Sequence, residues 1–315
     1  MDALVVVDKP VGWTSHDVVA RCRRIFSQRK AGHAGTLDPD ATGVLLVGLG
    51  QVTRLLQFLS GLPKRYVGEV VLGAATSTLD ASGELTAMWD MAGVGLAAAR
   101  AAAARLTGDI LQIPPMVSAV KVGGKRLYEL ARAGTEVDRA PRPVRVTRFD
   151  VSMAADQSVE HVGAGPVLAI DVECSSGTYV RELAAQLGAS LGGGGYLRRL
   201  RRLAVGAFSV EEAVTLDELA STAKWPASLL TPAAALRGMP VARVGPSMAA
   251  EVSHGKVFSL QQLRDVGATG PGPWAVVSKE GDLLAVYKEH GSGLAKPVVV
   301  MVPGDVARAL EPGRG

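Results

Sequence analysis

Lys30-Ala31-Gly32-His33-Ala34-Gly35-Thr36-Leu37-Asp38-Pro39-Asp40-Ala41-Thr42-Gly43 gathers glycines, one histidine and two aspartates directly ahead of an apolar run, Val44 to Val47. The glycines and polar residues read as a loop feeding a buried strand, and Pro39 stiffens the backbone immediately after Asp38. Loops between regular elements are where chemistry concentrates. On composition alone Asp38 has two readings: an Asx-type turn residue whose carboxylate accepts backbone N–H bonds, or a reactive carboxylate. His33 is equally open to being a loop donor.

Upstream, Ala3 to Val7 reads as a buried strand ended by Asp8-Lys9-Pro10 and Gly12, and Thr14-Ser15-His16-Asp17 carries a capping box. The helix after it repeats apolar residues at Val18, Val19, Cys22, Ile25 and Phe26 and turns its arginines outward. Downstream, Thr53 to Leu59 is expected as a short helix. Arg65 to Leu72 is expected as a strand with Tyr66 on the face of Gly68, Val70 and Leu72. Helices are expected over Leu96 to Leu106 and, within a basic, turn-bounded insertion, over Lys125 to Ala133. Strands at Val144 to Val151 and Val167 to Cys174 lead to a helix capped by Thr178, with Arg181 in its first turn. Gly192 to Gly195 reads as a flexible joint, and Pro226 and Pro232 as the ends of a linker. Short strand-like segments beyond Arg237 imply a small β-rich C-terminal domain.

The chain has 315 residues, 48% of them hydrophobic, enough for a large domain plus a smaller one. Net charge is only +4, but the cations cluster: Arg21, Arg23, Arg24, Arg29 and Lys30; then Arg198, Arg199, Arg201 and Arg202; and a band from Lys121 to Arg148. Each cluster could be a solvated helix face, but three together favour a polyanionic partner, because phosphates respond to local potential. The two cysteines, Cys22 and Cys174, read as packed thiols, and the five histidines lack metal-ligand spacing. No apolar run is long enough to span a bilayer, and the N-terminus lacks a signal peptide's basic region, so a cytoplasmic protein is expected. Gly48-Leu49-Gly50-Gln51-Val52-Thr53 approximates a dinucleotide fingerprint, with Thr53 in place of the third glycine and no acid closing a second strand.

The ordered set changes the balance at Asp38. Asp8-Lys9-Pro10, then Gly32 to Gly43, Lys64-Arg65-Tyr66, Gln112-Ile113-Pro114-Pro115-Met116, Gly123-Gly124-Lys125-Arg126-Leu127-Tyr128, Ser176-Gly177-Thr178-Tyr179-Val180-Arg181 and Leu197-Arg198-Arg199-Leu200 follow one another through the first two thirds of the chain. Together they resemble the bacterial TruB family of tRNA pseudouridine synthases.

The resemblance implies an α/β fold of the α+β type, with a mixed, largely antiparallel sheet and a central cleft. It places catalysis in residues 1–236, an RNA-binding insertion at about 116–143, and a PUA-like β domain in 237–315. The implied reaction is isomerisation of uridine 55 in the tRNA T-loop by base flipping, with Asp38 as nucleophile, Arg181 as its ion-pair partner and Tyr66 against the uracil. His33, Lys9, Lys64, Asp80, Tyr179, Lys125, Arg126, Arg198 and Arg199 are the implied RNA-side residues, with Lys9 bracing the loop and Lys64 meeting phosphate. No cofactor, metal or membrane is implied, and a monomer acting on the T-arm is expected. Two rivals remain: a non-catalytic RNA-binding or tRNA-folding factor that keeps the cleft, and a nucleotide-cofactor enzyme using Gly48 and Gly50.

Overall fold

Valine- and leucine-rich segments near the start of the chain build the centre of the molecule. In the computed structural model, Ala3–Lys9 (β1), Ala31–Ala34 (β2) and Thr42–Leu49 (β3) form its first strands. β1 and β3 pair antiparallel from Ala3 opposite Leu49 to Lys9 opposite Gly43. Both are apolar almost throughout because both their faces are covered. The structure describes residues 1–116, 118, 121–127, 134–135, 137–158, 165–221 and 229–301.

Further along come Lys64–Leu72 (β4), Ala74–Thr76 (β5), Leu85–Met88 (β6), Gly108–Gln112 (β7), Lys121–Val122 (β8) and Lys125–Arg126 (β9). Arg142–Met153 (β10), Val167–Cys174 (β11), Gly195–Val205 (β12), Phe208–Ser209 (β13) and Leu229–Leu230 (β14) follow. The large sheet has the order β14-β1-β3-β12-β4-β11-β10-β7, with β2 on β3 and β13 on β12. Its pairings are antiparallel except for a short parallel contact of β3 with β12, Thr42 and Gly43 lying opposite Arg201 and Arg202. A second, five-stranded sheet takes Val241–Arg243 (β15), Phe258–Ser259 (β16), Trp274–Val277 (β17), Leu283–Glu289 (β18) and Leu294–Val300 (β19) in the order β15-β17-β18-β19-β16. The mixed, largely antiparallel sheet and the C-terminal β unit expected from the sequence are therefore both present.

Periodicity explains what each face covers. Tyr66, Val70 and Leu72 of β4 face the helices Leu96–Arg105 and Val180–Ser190 and share a core with Leu183, Ala184 and Leu187. The Ser15–Ile25 helix, started by a complete capping box of Thr14 and Asp17, buries Val18, Val19 and Cys22 against Val5, Val47 and Leu49. The opposite face of β1 and β3 joins the second sheet in one cluster: Leu4, Val6, Leu46, Val52 and Leu55 meet Val277, Val286 and Val299. Among the described residues no helix is long and apolar enough to cross a membrane.

Several expectations are corrected. The start of the Lys30–Gly43 stretch is strand β2, because Ala31 to Ala34 find partners at Leu46 to Leu49, and its end, Thr42 and Gly43, already belongs to β3; only residues 35–41 between them are loop. Thr53 to Leu59 splits into a 3-10 turn over Gly50–Arg54 and a helix over Leu56–Ser60. Lys125 and Arg126 pair with Lys121 and Val122 as a two-stranded ribbon instead of opening a helix, Leu127 is helical, and residues 128–133 of that expected helix lie outside the described residues. Thr178 does not cap the Val180–Ser190 helix: its hydroxyl donates to Ser175 O, and Tyr179 is the N-cap residue. The Gly192–Gly195 run is a close crossing, not a flexible joint. A Cβ at Gly188 would lie 2.2 Å from the Gly194 carbonyl carbon, and one at Gly194 would lie 2.3 Å from the Trp89 ring. The expected linker is also displaced, since Leu229–Leu230 adds a strand to β1; Pro226 falls outside the described residues.

Candidate active site

The sheet forks at β3. Its end pairs with β2 and its start with β12, and residues 35–41 rise out of the fork. Local bonds hold this loop from both sides. Ser15 Oγ takes the Leu37 N–H at 2.9 Å and donates back to Leu37 O. Pro39 O accepts from Gly12 N and from Lys9 Nζ, both at 2.9 Å. The Lys9 ammonium also donates to Pro10 O and Trp13 O, so this fully buried lysine braces the loop and lines neither cavity of the site. Burial brings its pKa down to about 8, against the attraction of Asp38 and Asp40.

From the other side comes Arg202 of β12, also fully buried. It donates to Val44 O at 2.7 Å, Gly35 O at 3.1 Å and Thr36 O at 3.3 Å, and its charge acts on the nearby Tyr66 hydroxyl. Burial raises the Tyr66 pKa, so the ring meets the site as a neutral phenol.

The loop delivers Asp38 to the first turn of the Val180–Ser190 helix. Arg181 Nε lies 3.0 Å from Asp38 Oδ2, its Nη1 lies 3.3 Å from Asp80 Oδ2, and it donates to Thr78 O at 3.1 Å. The guanidinium is 5% exposed, whereas 44% of the Asp38 side-chain surface opens into the cleft. Desolvation between the cleft walls nevertheless pushes the Asp38 pKa up; Arg181 opposes this, and Asp80 adds to it. Asp80 combines two tasks: its Oδ1 accepts from Thr78 Oγ1, Ser82 N and Ser82 Oγ, closing a turn, while its Oδ2 faces Arg181.

Two cavities meet at this pair. A cleft of about 1200 Å³ is walled by Val67, Glu69, Asp80, Leu197, Arg198 and Arg199, among others. A pocket of about 290 Å³ is walled by Gly35 to Leu37, Lys64, Tyr66, Tyr179 and Leu200, among others. Asp38 and Arg181 line both.

Other expected residues are placed differently. Lys64 is buried, with its ammonium donating to Ser60 O and Leu62 O; this, not phosphate contact, is the work its geometry supports. His33 lines neither cavity, and its ring meets His16 edge-on at 5.3 Å behind the loop. Burial lowers its pKa to about 4. Arg198 is paired with Glu69 at 2.8 Å and is 13% exposed, while Arg199 is 68% exposed. The side chains of Lys125 and Arg126 lie outside the described residues. The dinucleotide-like segment has no room for a phosphate: the Asp2 carboxylate already accepts from Gln51 N, and a Cβ on Gly50 would lie 2.1 Å from it. Residues not foreseen are Ser15, Arg202 and the Arg201–Asp8 pair at 2.6 Å. Simple period-two alternation would not have sorted these arginines, because the β12 ladder shifts register at Arg198, which joins Arg199 on Glu69.

Two family models match this chain: the TruB family pseudouridylate synthase (N terminal domain) over residues 23–180, and the tRNA pseudouridylate synthase B C-terminal domain over residues 181–238. Proteins named tRNA pseudouridine synthase B from Arthrobacter sp. (strain FB24) and Thermobifida fusca (strain YX) are 44% and 46% identical to it. They match 97% and 95% of this chain and 98% of each relative. Among solved structures, one described as "Crystal Structure of a Cbf5-Nop10-Gar1 Complex" superposes with a TM-score of 0.72 at 27% identity, covering 96% of this chain and 86% of that one. The two family models meet between Val180 and Arg181, in the helix that brings Arg181 to Asp38, and the chain belongs to the TruB family of pseudouridine synthases.

Proposed function

We propose that this chain isomerises uridine 55 in the T-loop of tRNA, flipping the base into the pocket and using Asp38 as nucleophile. The observation that carries the reading is that Asp38 and Arg181 line both an open cleft of about 1200 Å³ and a pocket of about 290 Å³, on the scale of a single nucleoside. A base in a folded loop has to leave its stack to enter such a pocket. Tyr66 and Leu200 would flank it there. The names of the curated relatives support tRNA as the substrate.

The chemistry balances without a co-reactant. The C1′–N1 bond breaks, the uracil turns, C1′–C5 forms, and the C5 proton is lost as N1 gains one. A carboxylate bonding transiently to the nucleotide divides this into easier steps. Asp38 acts at C1′, at C6 or on the C2′ proton, and each route needs it ionised, the form that Arg181 favours. Shape and phosphate contacts would select the loop, with Arg199 available at the cleft wall. The same reading gives residues 1–236 the chemistry and residues 237–315 a contact with the tRNA, in a monomer acting in the cytoplasm.

The test is to incubate purified protein with an unmodified tRNA transcript, add no cofactor, and map pseudouridine. Conversion at position 55 is expected, with loss of at least about 1000-fold in Asp38→Ala. Conversion surviving in Asp38→Ala would remove the nucleophile assignment. Tight tRNA binding without conversion by the parental chain would favour the non-catalytic RNA-binding reading.

A further inference from the structure

The Val180–Ser190 helix starts without a side-chain cap of its own: Tyr179 is extended there, at φ −101° and ψ 109°. The N-cap residue itself is held instead from another element. Gln112, the last residue of β7, accepts the Tyr179 N–H on its Oε1 at 3.0 Å and donates from Nε2 to Tyr179 O at 3.3 Å. The side-chain amide thereby pairs with one backbone residue on both its polar groups, as a neighbouring strand would. Gln112 is 1% exposed, so water does not compete for these bonds. Tyr179 O also receives the Leu183 N–H at 3.2 Å, which ties the clamp to the first helical turn.

That turn is where the site is assembled. Tyr179 lines the pocket, and Arg181, two residues on, reaches Asp38 and Asp80. Gln112 itself lines neither cavity. It lies opposite Arg142, the first residue of β10, as the terminal pair of the β7–β10 ladder. The edge of the sheet is thus bolted through one amide to the helix end that carries the Asp38 partner.

We infer that Gln112 is a positioning residue for pseudouridine formation, fixing the helix N-terminus so that Arg181 meets Asp38 in its reactive orientation. The inference rests on the reading of Arg181 as the partner of Asp38. A displacement of the guanidinium on the ångström scale is enough to slow such chemistry severely.

The test uses the full chain and unmodified tRNA transcript, with Gln112→Met, which keeps the side chain's length and removes both bonds. Single-turnover conversion is expected to fall about tenfold, with tRNA affinity within about threefold of parental and a folded circular-dichroism spectrum. Gln112→Glu keeps the acceptor for Tyr179 N–H and is expected to recover part of the rate. In a double-mutant cycle with Arg181→Lys, the two losses should not multiply, because both act on the same pair. A Gln112→Met rate within about threefold of parental, multiplicative losses in the cycle, or weakened affinity with an unchanged conversion rate would each overturn the inference. Conversion by Arg181→Lys near the parental rate would instead overturn the underlying reading of Arg181.

Discussion

Asp38 stands under opposing influences. Withdrawal from water and the nearby Asp80 raise its pKa, while Arg181 and Lys9 favour the carboxylate. Removing a like charge lowers a carboxyl pKa, so Asp80→Asn should move the acidic limb of the single-turnover pH–rate profile to lower pH. The maximal rate should also fall, since Arg181 loses its ion pair with Asp80. A limb that stays in place or moves up would mean that the Asp38 ionisation does not control the profile. The sequence carried this group as a local pattern plus a distant one: composition left Asp38 divided between turn and catalyst, and only the ordered set with Tyr66 and Arg181 favoured the catalyst. That Arg181 approaches Asp38 at all depends on the loop in the fork of the sheet, a long-range arrangement that no spacing in the chain discloses.

At the level of the element, β12 shows why a charge cluster is not a surface. Its arginines divide: Arg199 reaches solvent, Arg198 and Arg201 are held by Glu69 and Asp8, and Arg202 is fully buried on backbone carbonyls. Arg202→Met would leave buried acceptors unpaired, and a loss of roughly 3 kcal/mol of stability is expected by thermal or denaturant unfolding. Arg199→Ala should leave the melting temperature unchanged and lower the slope of log affinity for tRNA against log salt by about 1. The reverse pattern, an unstable Arg199→Ala and a stable Arg202→Met, would contradict this division. Elements specified by neighbours in sequence were legible: the Thr14–Asp17 capping box starts a helix at Ser15 as the sequence suggests. Elements specified by partners elsewhere were not. β2 needs β3 beside it, and the glycines at 192–195 serve a helix–strand crossing that sequence distance conceals.

For the whole molecule, the short strands after Arg237 suggested a module appended to a catalytic domain. The second sheet is there, but its inner face is not closed on itself. Val277, Val286, Val299 and Met301 lie in one buried cluster with Leu4, Val6, Val44 and Leu46, and Arg54 Nη1 donates to Val300 O at 2.6 Å across the same boundary. Interfaces between independent domains are more polar than this and permit relative motion. Unfolding either side exposes apolar surface on the other, so the intact chain should melt in a single calorimetric transition with agreeing calorimetric and van't Hoff enthalpies. Val286→Asp places a charge in that shared cluster, where it finds no water; it should lower the one transition as a unit instead of releasing a second, earlier one. Two resolved transitions in the parental chain, or a 1–238 fragment melting at the parental temperature, would show that the shared cluster does not couple the halves. A single transition means that any role of the C-terminal sheet in RNA binding cannot be isolated by deletion. It has to be probed by substitutions on its exposed surface, because removing it uncovers the back of β1 and β3, whose other ends frame the Asp38 loop.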